Sequence, residues 1–179
     1  EDVYQVYQDE FSAGWVRCIC QHASMTEKER EEFLEAFTEE NEDTLIGFCV
    51  MGGIFSEGID LIGNRLIGVA VVGTGIPQVN CEREILKNYY DAKGEQGFDY
   101  AYRYPGMNKV LQSAGRVIRT KEDTGTILLM DERFVSREYQ ALFPREWNDA
   151  GICALENVEQ QIGKFWKQRE RQFQKEKHK

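Results

Sequence analysis

The sequence predicts an α/β domain with a mostly parallel β-sheet flanked by helices. Two observations support this prediction. Short apolar runs, typical of buried strands, alternate along the chain with longer amphipathic segments, typical of helices. Of the 179 residues, 41% are hydrophobic and 12% aromatic, which is enough for one core without disulfides or a structural metal. Strands that alternate with helices pair in parallel through right-handed crossovers.

The first half of the chain is predicted to supply two strands and the helix between them. VRCICQ, residues 16–21, has the pattern of a short strand. In the TEKEREEFLEAFTEE segment that follows, Thr26 and Glu29 have the spacing of a capping box, so a helix is expected to begin there. The apolar stripe of this helix consists of Phe33, Leu34 and Phe37. LIGFCVM, residues 45–51, is continuously apolar, as expected for a strand covered on both faces.

The second half is predicted to contain two more strands and the helices between them. LIGVAVVG, residues 66–73, is the third strand, and TGTILLMDE, residues 124–132, contains the fourth. CEREILKNYYDAKG has the pattern of a helix that ends at Gly94, because glycine favours the position after a helix. Pro105 is expected in the first turn of the next helix, where its missing N–H does no harm.

Charge is unevenly distributed along the chain. The formal net charge is −9, but residues 27–43 carry −7 and residues 164–179 carry +5, histidine not counted. An acidic total disfavours indiscriminate nucleic-acid binding by the whole surface, although it permits a local basic groove. We expect residues 1–150 to form the main domain. Residues 151–179 are expected to form a basic amphipathic helix that packs on it.

The cysteines indicate a reducing compartment. Their number is odd, no Cys-x-x-Cys pair occurs, and Cys18, Cys20 and Cys49 lie in apolar strand-like runs. Such cysteines are typically buried thiols rather than disulfides or metal ligands, so no metal site is predicted. No apolar run approaches 18 residues and no signal peptide opens the sequence. We therefore predict a cytoplasmic protein that does not contact membranes.

The segment VLQSAGRVIRT, residues 110–120, concentrates polar groups that could bind an anion. In a helix, Gln112, Arg116 and Arg119 share one face. The opposite, packed face would consist of Val110, Ala114, Val117 and Ile118. Gly115 would cost about 1 kcal/mol in a helix interior, which a close approach of its backbone to a partner would explain. The spacing leaves open whether the arginines pair with acidic neighbours or bind an anion.

A second polar segment, GGIFSEGIDL, directly follows the strand predicted to end near Met51. Ligands of open α/β sheets bind at the carboxyl ends of strands, which is where this loop begins. Its glycines let the backbone turn sharply or approach a partner closely. The polar groups brought to this edge are those of Ser56, Glu57 and Asp60. Spacing alone equally favours a loop that merely needs glycine.

Together, the two segments indicate a protein family far more specifically than either segment does alone. GIFSEGIDL followed by QSAGRVIR resembles motifs V and VI of superfamily 2 helicases, in the form found in XPD/DinG-type DNA helicases, which are related to the repair helicase XPD. The resemblance continues through ASMTEKEREEFLEAF, KEDTG and TILLMDERF and covers most of residues 15–145. It implies the second RecA-like motor domain of an ATP-dependent DNA helicase. It also implies that a strand of this domain precedes Glu1 and is missing here.

The resemblance implies catalytic roles for the arginine segment. Arg116 and Arg119 would be arginine fingers for the γ-phosphate of ATP, and Gln112 would hydrogen-bond that phosphate or the attacking water. Gly115 would lie near the nucleotide. ATP and Mg²⁺ would be held mainly by the first motor domain, because no Gly-x-x-x-x-Gly-Lys-Ser/Thr phosphate loop occurs in the sequence. The isolated chain is therefore expected to hydrolyse no ATP.

The glycine-bearing segment has implied roles of its own. Gly58 and Asp60 would lie near the nucleotide, with Asp60 holding the arginines in register. Ser56 and Glu57 would couple the nucleotide cleft to single-stranded DNA. The implied partners are this DNA and the first RecA-like domain of the same parent chain. The iron–sulfur cluster of many relatives is carried by an insertion in that first domain, so such a cluster would belong to the parent and not to this chain.

The sequence also permits two alternatives to the motor domain. One is a catalytically silent RecA-like module that binds nucleic acid or protein. The basic tail KFWKQRERQFQKEKHK suits such a module as well as it suits a plain solvated helix. The other, a free-standing enzyme, is poor, because His22 and His178 are the only histidines and no nucleophile–histidine–acid set is evident. Asp131 and Arg133 of MDERF are expected to be structural.

Overall fold

The structure is a computed structural model and describes residues 2–11, 14–53, 55, 61 and 63–177. The chain divides into two compact units, Glu1–Phe134 and Val135–Lys179. The division falls inside the stretch predicted as one domain. The boundary at residue 150 stays a prediction.

The first unit alternates helices and strands in the predicted order, which confirms the α/β class. Its regular elements are α1 (Asp2–Phe11), β1 (Val16–Cys20), α2 (Glu27–Glu35), β2 (Thr44–Phe48), β3 (Gly68–Val72), α3 (Cys81–Ala92), α4 (Tyr104–Ala114) and β4 (Thr126–Met130). A 3₁₀ turn, Gly63–Arg65, precedes β3, and a π-helical segment, Asp99–Arg103, leads directly into α4.

The strands pair in parallel, as predicted. β1 pairs with β2 from Val16–Thr44 to Cys20–Phe48, and β3 pairs with β4 from Gly68–Thr126 to Val72–Met130. Among the described residues these pairs form two separate two-stranded sheets rather than the single predicted sheet. A cleft of about 710 Å³ lies between them and is lined by consecutive residues of both β2 and β3. Because alternate residues point to opposite faces of a strand, a lining of consecutive residues means that the strand edges border the cleft.

The capping box of α2 forms as predicted. Glu29 N donates to Thr26 Oγ1, and Thr26 N donates to Glu29 Oε2 at 2.7 Å. Phe33 of the apolar stripe is buried and stacks on Phe55 with ring centroids 4.3 Å apart. A Cβ on Gly47 would lie 2.6 Å from the Phe37 ring, so glycine in β2 makes room for an aromatic side chain.

The connection from α3 to α4 is held by aromatic stacking and hydrogen bonds. α3 ends at Ala92, and Gly94 follows with φ +80°, as predicted for a helix C-terminus. The rings of Tyr90 and Tyr100 stack with centroids 3.8 Å apart, and Arg83 Nη1 donates to the Ala101 carbonyl at 2.6 Å. These contacts fix the π-helical segment from which α4 continues.

The cysteines are all free thiols. Cys18 and Cys20 are half-buried on β1, but Cys49 is exposed, which corrects the prediction that it is buried. The reason is that β2 ends at Phe48, so Cys49 lies beyond the strand.

The described residues of the second unit, 135–177, contain two α-helices. A short helix α5 (Arg137–Gln140) and a 3₁₀ turn (Arg145–Trp147) precede the long helix α6 (Leu155–Lys177). The predicted C-terminal helix is therefore present. In the part of the chain that the structure describes, no helix combines the length and apolar character needed to cross a bilayer.

Candidate functional site

The arginine-bearing segment is positioned by a close crossing of two backbones. Gly106, in the first turn of α4, packs so tightly that a Cβ there would lie 2.6 Å from the Thr74 carbonyl oxygen. The loop after β3 contributes its own glycine, Gly75, with φ +65°, whose Cβ would lie 2.9 Å from the Gly106 carbonyl. Pro105 lies in the same first turn, as predicted. The glycine pair therefore seats α4 on the carboxyl end of β3.

The packed face of this segment is largely as predicted. Val110, Ala114 and Val117 are buried, together with Met107. The prediction that Ile118 is packed is wrong, because 49% of its surface is exposed. The chain has left the helix before it reaches Ile118, so helical spacing no longer decides which way that residue faces.

The helix ends earlier than the sequence pattern indicates. α4 stops at Ala114, and Gly115 is its C-cap with φ −65°. The next residues tighten into a 3₁₀-like turn, in which Arg116 N donates to the Ser113 carbonyl and Val117 N donates to the Ala114 carbonyl. Arg116 and Arg119 thus lie beyond the helix. The prediction that they share a helical face with Gln112 is wrong.

Gly115 also has a different explanation from the one expected. The nearest atom to a Cβ on Gly115 would be the Leu111 carbonyl oxygen of the same helix, at 3.1 Å, and no other segment of the described chain comes within 4 Å. As a C-cap, Gly115 avoids the free-energy cost of a helix interior.

The carboxyl ends of β2 and β3 and the end of α4 meet at the cleft. Arg116 and Ser113 line it together with Met51, which follows β2. The Met51 Sδ would lie 3.1 Å from a Cβ on Gly75, in the loop after β3. Of the three predicted catalytic residues, Arg116 and Arg119 are half-buried and Gln112 is exposed.

Lys109 is a cation at this edge that the sequence reasoning missed. A Cβ on Gly52, the first glycine after β2, would lie 3.0 Å from the Lys109 Cδ, so the lysine stem lies over this loop. Gly52 has φ +77°, which favours glycine at this turn. Lys109 precedes Gln112 by one helical turn, so the spacing used for Gln112 could have found it.

The remaining residues of the glycine-bearing segment are not placed. Ser56, Glu57, Gly58 and Asp60 lie outside the described residues. Their roles near the nucleotide and the DNA stay predictions.

The loop after the arginine segment is held by Asp123, a second residue that the sequence reasoning missed. Its Oδ2 accepts the backbone N–H of Arg119 at 2.9 Å and that of Thr120 at 2.7 Å. The Arg119 N–H and then the Thr120 N–H lower the pKa of Asp123, and the Gly63 N–H and the Thr120 hydroxyl add to this effect. The signal in the sequence was an aspartate shortly after the last arginine, in KEDTG.

Asp131 and Arg133 form an ion pair with two hydrogen bonds between their side chains. Arg133 Nε donates to Asp131 Oδ1 at 2.8 Å, and Arg133 Nη2 donates to Asp131 Oδ2 at 2.7 Å. This bidentate pair lowers the pKa of Asp131. Among the residues that the structure describes, no group of three or more His, Cys, Asp or Glu side chains could hold a metal ion.

Comparison with known proteins identifies the family of this chain and several of its relatives. The sequence profile of the helicase C-terminal domain family matches residues 1–150. The chain is 31% identical over 156 residues to the regulator of telomere elongation helicase 1 homolog of Caenorhabditis elegans, covering 78% of this chain and 15% of that protein. It is 34% identical over 89 residues to the ATP-dependent DNA helicase DinG of Photobacterium profundum, covering 49% of this chain and 13% of DinG.

A solved structure of an XPD helicase shares the fold. The match has a TM-score of 0.55 at 22% identity and covers 69% of this chain and 22% of that one. The chain spans about a seventh of the length of the Caenorhabditis elegans relative described above. These findings confirm the resemblance to XPD/DinG-type helicases and the RecA-like fold class.

Proposed function

Because the chain belongs to the helicase C-terminal domain family, we propose that it acts as the second motor domain of an ATP-dependent DNA helicase of the XPD/DinG type. One observation carries the proposal: Arg116 shares a cleft with the carboxyl ends of β2 and β3, and α/β proteins bind their ligands at the carboxyl ends of strands. An arginine in this cleft suits an anionic ligand, and the stem of Lys109 lies over Gly52, which directly follows the cleft residue Met51.

In this proposal Arg116 and Arg119 act on ATP bound by the first motor domain. A guanidinium is always charged, and its fork matches two phosphate oxygens at once. Such groups stabilise the negative charge on the phosphoryl group as it is transferred. The position of both arginines past the end of α4 supports this role, because their side chains can extend beyond the helix toward a facing domain.

Gln112 lies on the exposed side of the last turn of α4. There its amide can hydrogen-bond the γ-phosphate or orient the attacking water. Gly115, which follows it at the helix end, would lie near the same nucleotide. Both proposals rest on the match to motif VI and on the position of this turn beside the cleft.

The glycine-bearing segment would link nucleotide and DNA. We propose that Gly58 and Asp60 lie near the nucleotide and that Ser56 and Glu57 couple the cleft to single-stranded DNA. The motif match supports these roles, and so does the origin of the loop at the end of β2. Backbone N–H groups at loop and helix ends, with a few basic groups, are sufficient to grip phosphates.

The proposed partners are the first motor domain of the parent chain and single-stranded DNA. Mg²⁺ would accompany ATP and neutralise its phosphates, with its ligands supplied mainly by the first domain. An iron–sulfur cluster, where the parent has one, would likewise belong to that domain. The 179 residues alone would hydrolyse no ATP, because their sequence contains no phosphate loop.

The experiment is Arg116→Ala in the complete parent enzyme, measured as DNA-stimulated ATPase activity. An arginine finger contributes roughly 10³-fold or more to kcat, so turnover is expected to fall by at least this factor while the unfolding midpoint is unchanged. Arg30→Ala is the matched control, because Arg30 is an exposed arginine on α2 that borders no part of the cleft. Turnover near the wild-type value in Arg116→Ala would contradict the proposed role.

A second candidate function has support from α6. This helix exposes Phe165 and Phe173 together with the basic side chains of Lys164, Lys167, Arg171 and Lys175. Aromatic and cationic groups on one helix suit stacking on bases and contact with phosphates. A nucleic-acid-binding module without motor activity would use this surface, and in that case Arg116→Ala would leave DNA binding intact.

A further inference from the structure

Asp123 closes a short loop directly onto Arg119. The loop runs from the end of α4 to β4, and helical hydrogen bonds do not restrain the backbone at Arg119, because α4 ends at Ala114. A single oxygen, Asp123 Oδ2, accepts the N–H groups of Arg119 and Thr120. Within the same loop, Glu122 N donates to Thr120 Oγ1 at 3.3 Å. The direction in which the Arg119 side chain leaves the backbone therefore depends on this carboxylate.

The same carboxylate reaches the segment that follows the glycine loop. The Gly63 N–H helps to hold the pKa of Asp123 below its usual value, so the two groups interact. The turn beginning at Gly63 is itself anchored beside α2: Asn64 N donates to Glu39 Oε1 at 3.0 Å, and Arg65 Nε donates to the Phe37 carbonyl at 2.6 Å. Asp123 thus joins the arginine loop to a turn that is already fixed.

We propose that Asp123 is a positioning residue for Arg119, holding its backbone in register with the turn that ends the glycine-bearing segment. This rests on the proposed function, in which Arg119 acts on the γ-phosphate. The resemblance implies such a register role for Asp60, and the bonds of Asp123 add a second residue with this role, on the arginine loop itself. An error of about 1 Å in a catalytic group can cost about 100-fold in rate, so a carboxylate that fixes Arg119 affects catalysis without contacting ATP.

The test compares Asp123→Ala, Arg119→Ala and the double variant in the complete parent enzyme by steady-state ATPase kinetics. Asp123→Ala is expected to lower kcat by about 100-fold with little change in the KM for ATP, because alignment in the transition state is lost rather than binding. Asp123→Asn keeps an oxygen that accepts both N–H groups, so most of the activity should return. The double variant should be no slower than Arg119→Ala alone, because residues that act through one another are not additive.

The control is Asn80→Ala. Asn80 Oδ1 accepts the Arg83 N–H at 2.9 Å as the N-cap of α3, so this variant also removes a side-chain acceptor for a backbone N–H, away from the cleft. It should lower the unfolding midpoint without changing kcat. If Asp123→Ala does not fold, Asp123→Ser, whose shorter side chain cannot reach both N–H groups, replaces it throughout.

The outcomes separate the inference from the proposed function. Wild-type turnover in Arg119→Ala would overturn the arginine-finger role and the positioning role with it. A slow Arg119→Ala enzyme, combined with Asp123 and Arg119 losses that multiply in the double variant, would overturn only the positioning role. So would an Asp123→Asn enzyme as slow as Asp123→Ala.

Discussion

Replacing Gly106 by alanine tests the backbone crossing that positions the arginine segment. Alanine is otherwise favoured in a helix by about 1 kcal/mol over glycine. At this position its methyl group would lie 2.6 Å from the Thr74 carbonyl oxygen and 3.0 Å from the Ile76 nitrogen. Heavy atoms that involve carbon pack without strain at about 3.5 Å, so the helix and the loop after β3 would have to separate by about 1 Å.

The expected free-energy change follows from these two opposing effects. Overpacking a tight site destabilises by about 1–3 kcal/mol, and the obstructing atoms belong to backbone that cannot move aside as a side chain tip can. Because backbone is the obstacle, the upper part of this range applies, about 2–3 kcal/mol. After the gain of about 1 kcal/mol in helix propensity, the chain should lose about 1–2 kcal/mol of unfolding free energy. The buried residues Met107 and Val110 on the same helix would shift with it. Arg116 would then lose its place in the cleft.

The assay is chemical denaturation of the 179-residue chain, with ATPase activity measured in the complete parent enzyme. Asn108→Ala is the matched control, because Asn108 is exposed on the same helix and alanine there should stabilise by about 0.5 kcal/mol. Gly106→Ala should destabilise and also lower turnover, whereas Asn108→Ala should do neither. A Gly106→Ala chain as stable as the wild type would refute the close crossing and the positioning of α4 derived from it.

Three further expectations concern local contacts and the C-terminal helix. Thr26→Ala removes the capping box with Glu29 and should cost about 1 kcal/mol of unfolding free energy. Asp131→Asn should destabilise most near neutral pH and progressively less below about pH 4, where the aspartate of the unfolded chain begins to bind a proton; denaturation at pH 7 and pH 3 measures this. Removing residues 155–179 should weaken binding of single-stranded DNA and flatten its salt dependence, as followed by fluorescence anisotropy at several salt concentrations.

Each of these expectations has an outcome that contradicts it. A Thr26→Ala chain with wild-type stability would mean that the cap is replaced by water. The direction of the pH effect for Asp131 follows from its lowered pKa, because Arg133 favours the charged carboxylate in the folded state. The stability that the ion pair contributes is therefore present above the ordinary pKa of aspartate and is lost as the pH falls through the lowered pKa. An equal effect of Asp131→Asn at pH 7 and pH 3 would exclude this linkage. An unchanged salt slope after truncation would exclude phosphate contacts by α6.

Features that depend on neighbours in the sequence were predicted well. The capping box at Thr26, the helix end at Gly94 and the proline in the first turn of α4 were all predicted from a few adjacent residues. Each is a bond or a backbone preference completed within one turn of chain. The two motifs were recognisable for the same reason, because each is a continuous run of residues.

Positions that depend on distant segments were predicted less well. Helical spacing extended the arginine helix through Ile118, whereas the helix ends at Ala114 and Ile118 is exposed. The pattern could not identify the end, because Asp123 and the crossing at Gly106 hold the chain from outside the helix. The exposure of Cys49 beyond β2 was missed because an apolar run does not fix where a strand stops.

The amino-acid sequence by itself determined the α/β class, the parallel pairing of the strands and the helicase motifs, because apolar periodicity and short-range caps are local properties of the chain. Only the tertiary structure decided that Arg116 lines the cleft and that Lys109 lies over the glycine loop. It also decided that Asp123 fastens the arginine loop. These contacts join residues that are brought together by chain crossings, and no spacing along the sequence encodes where two backbones will cross.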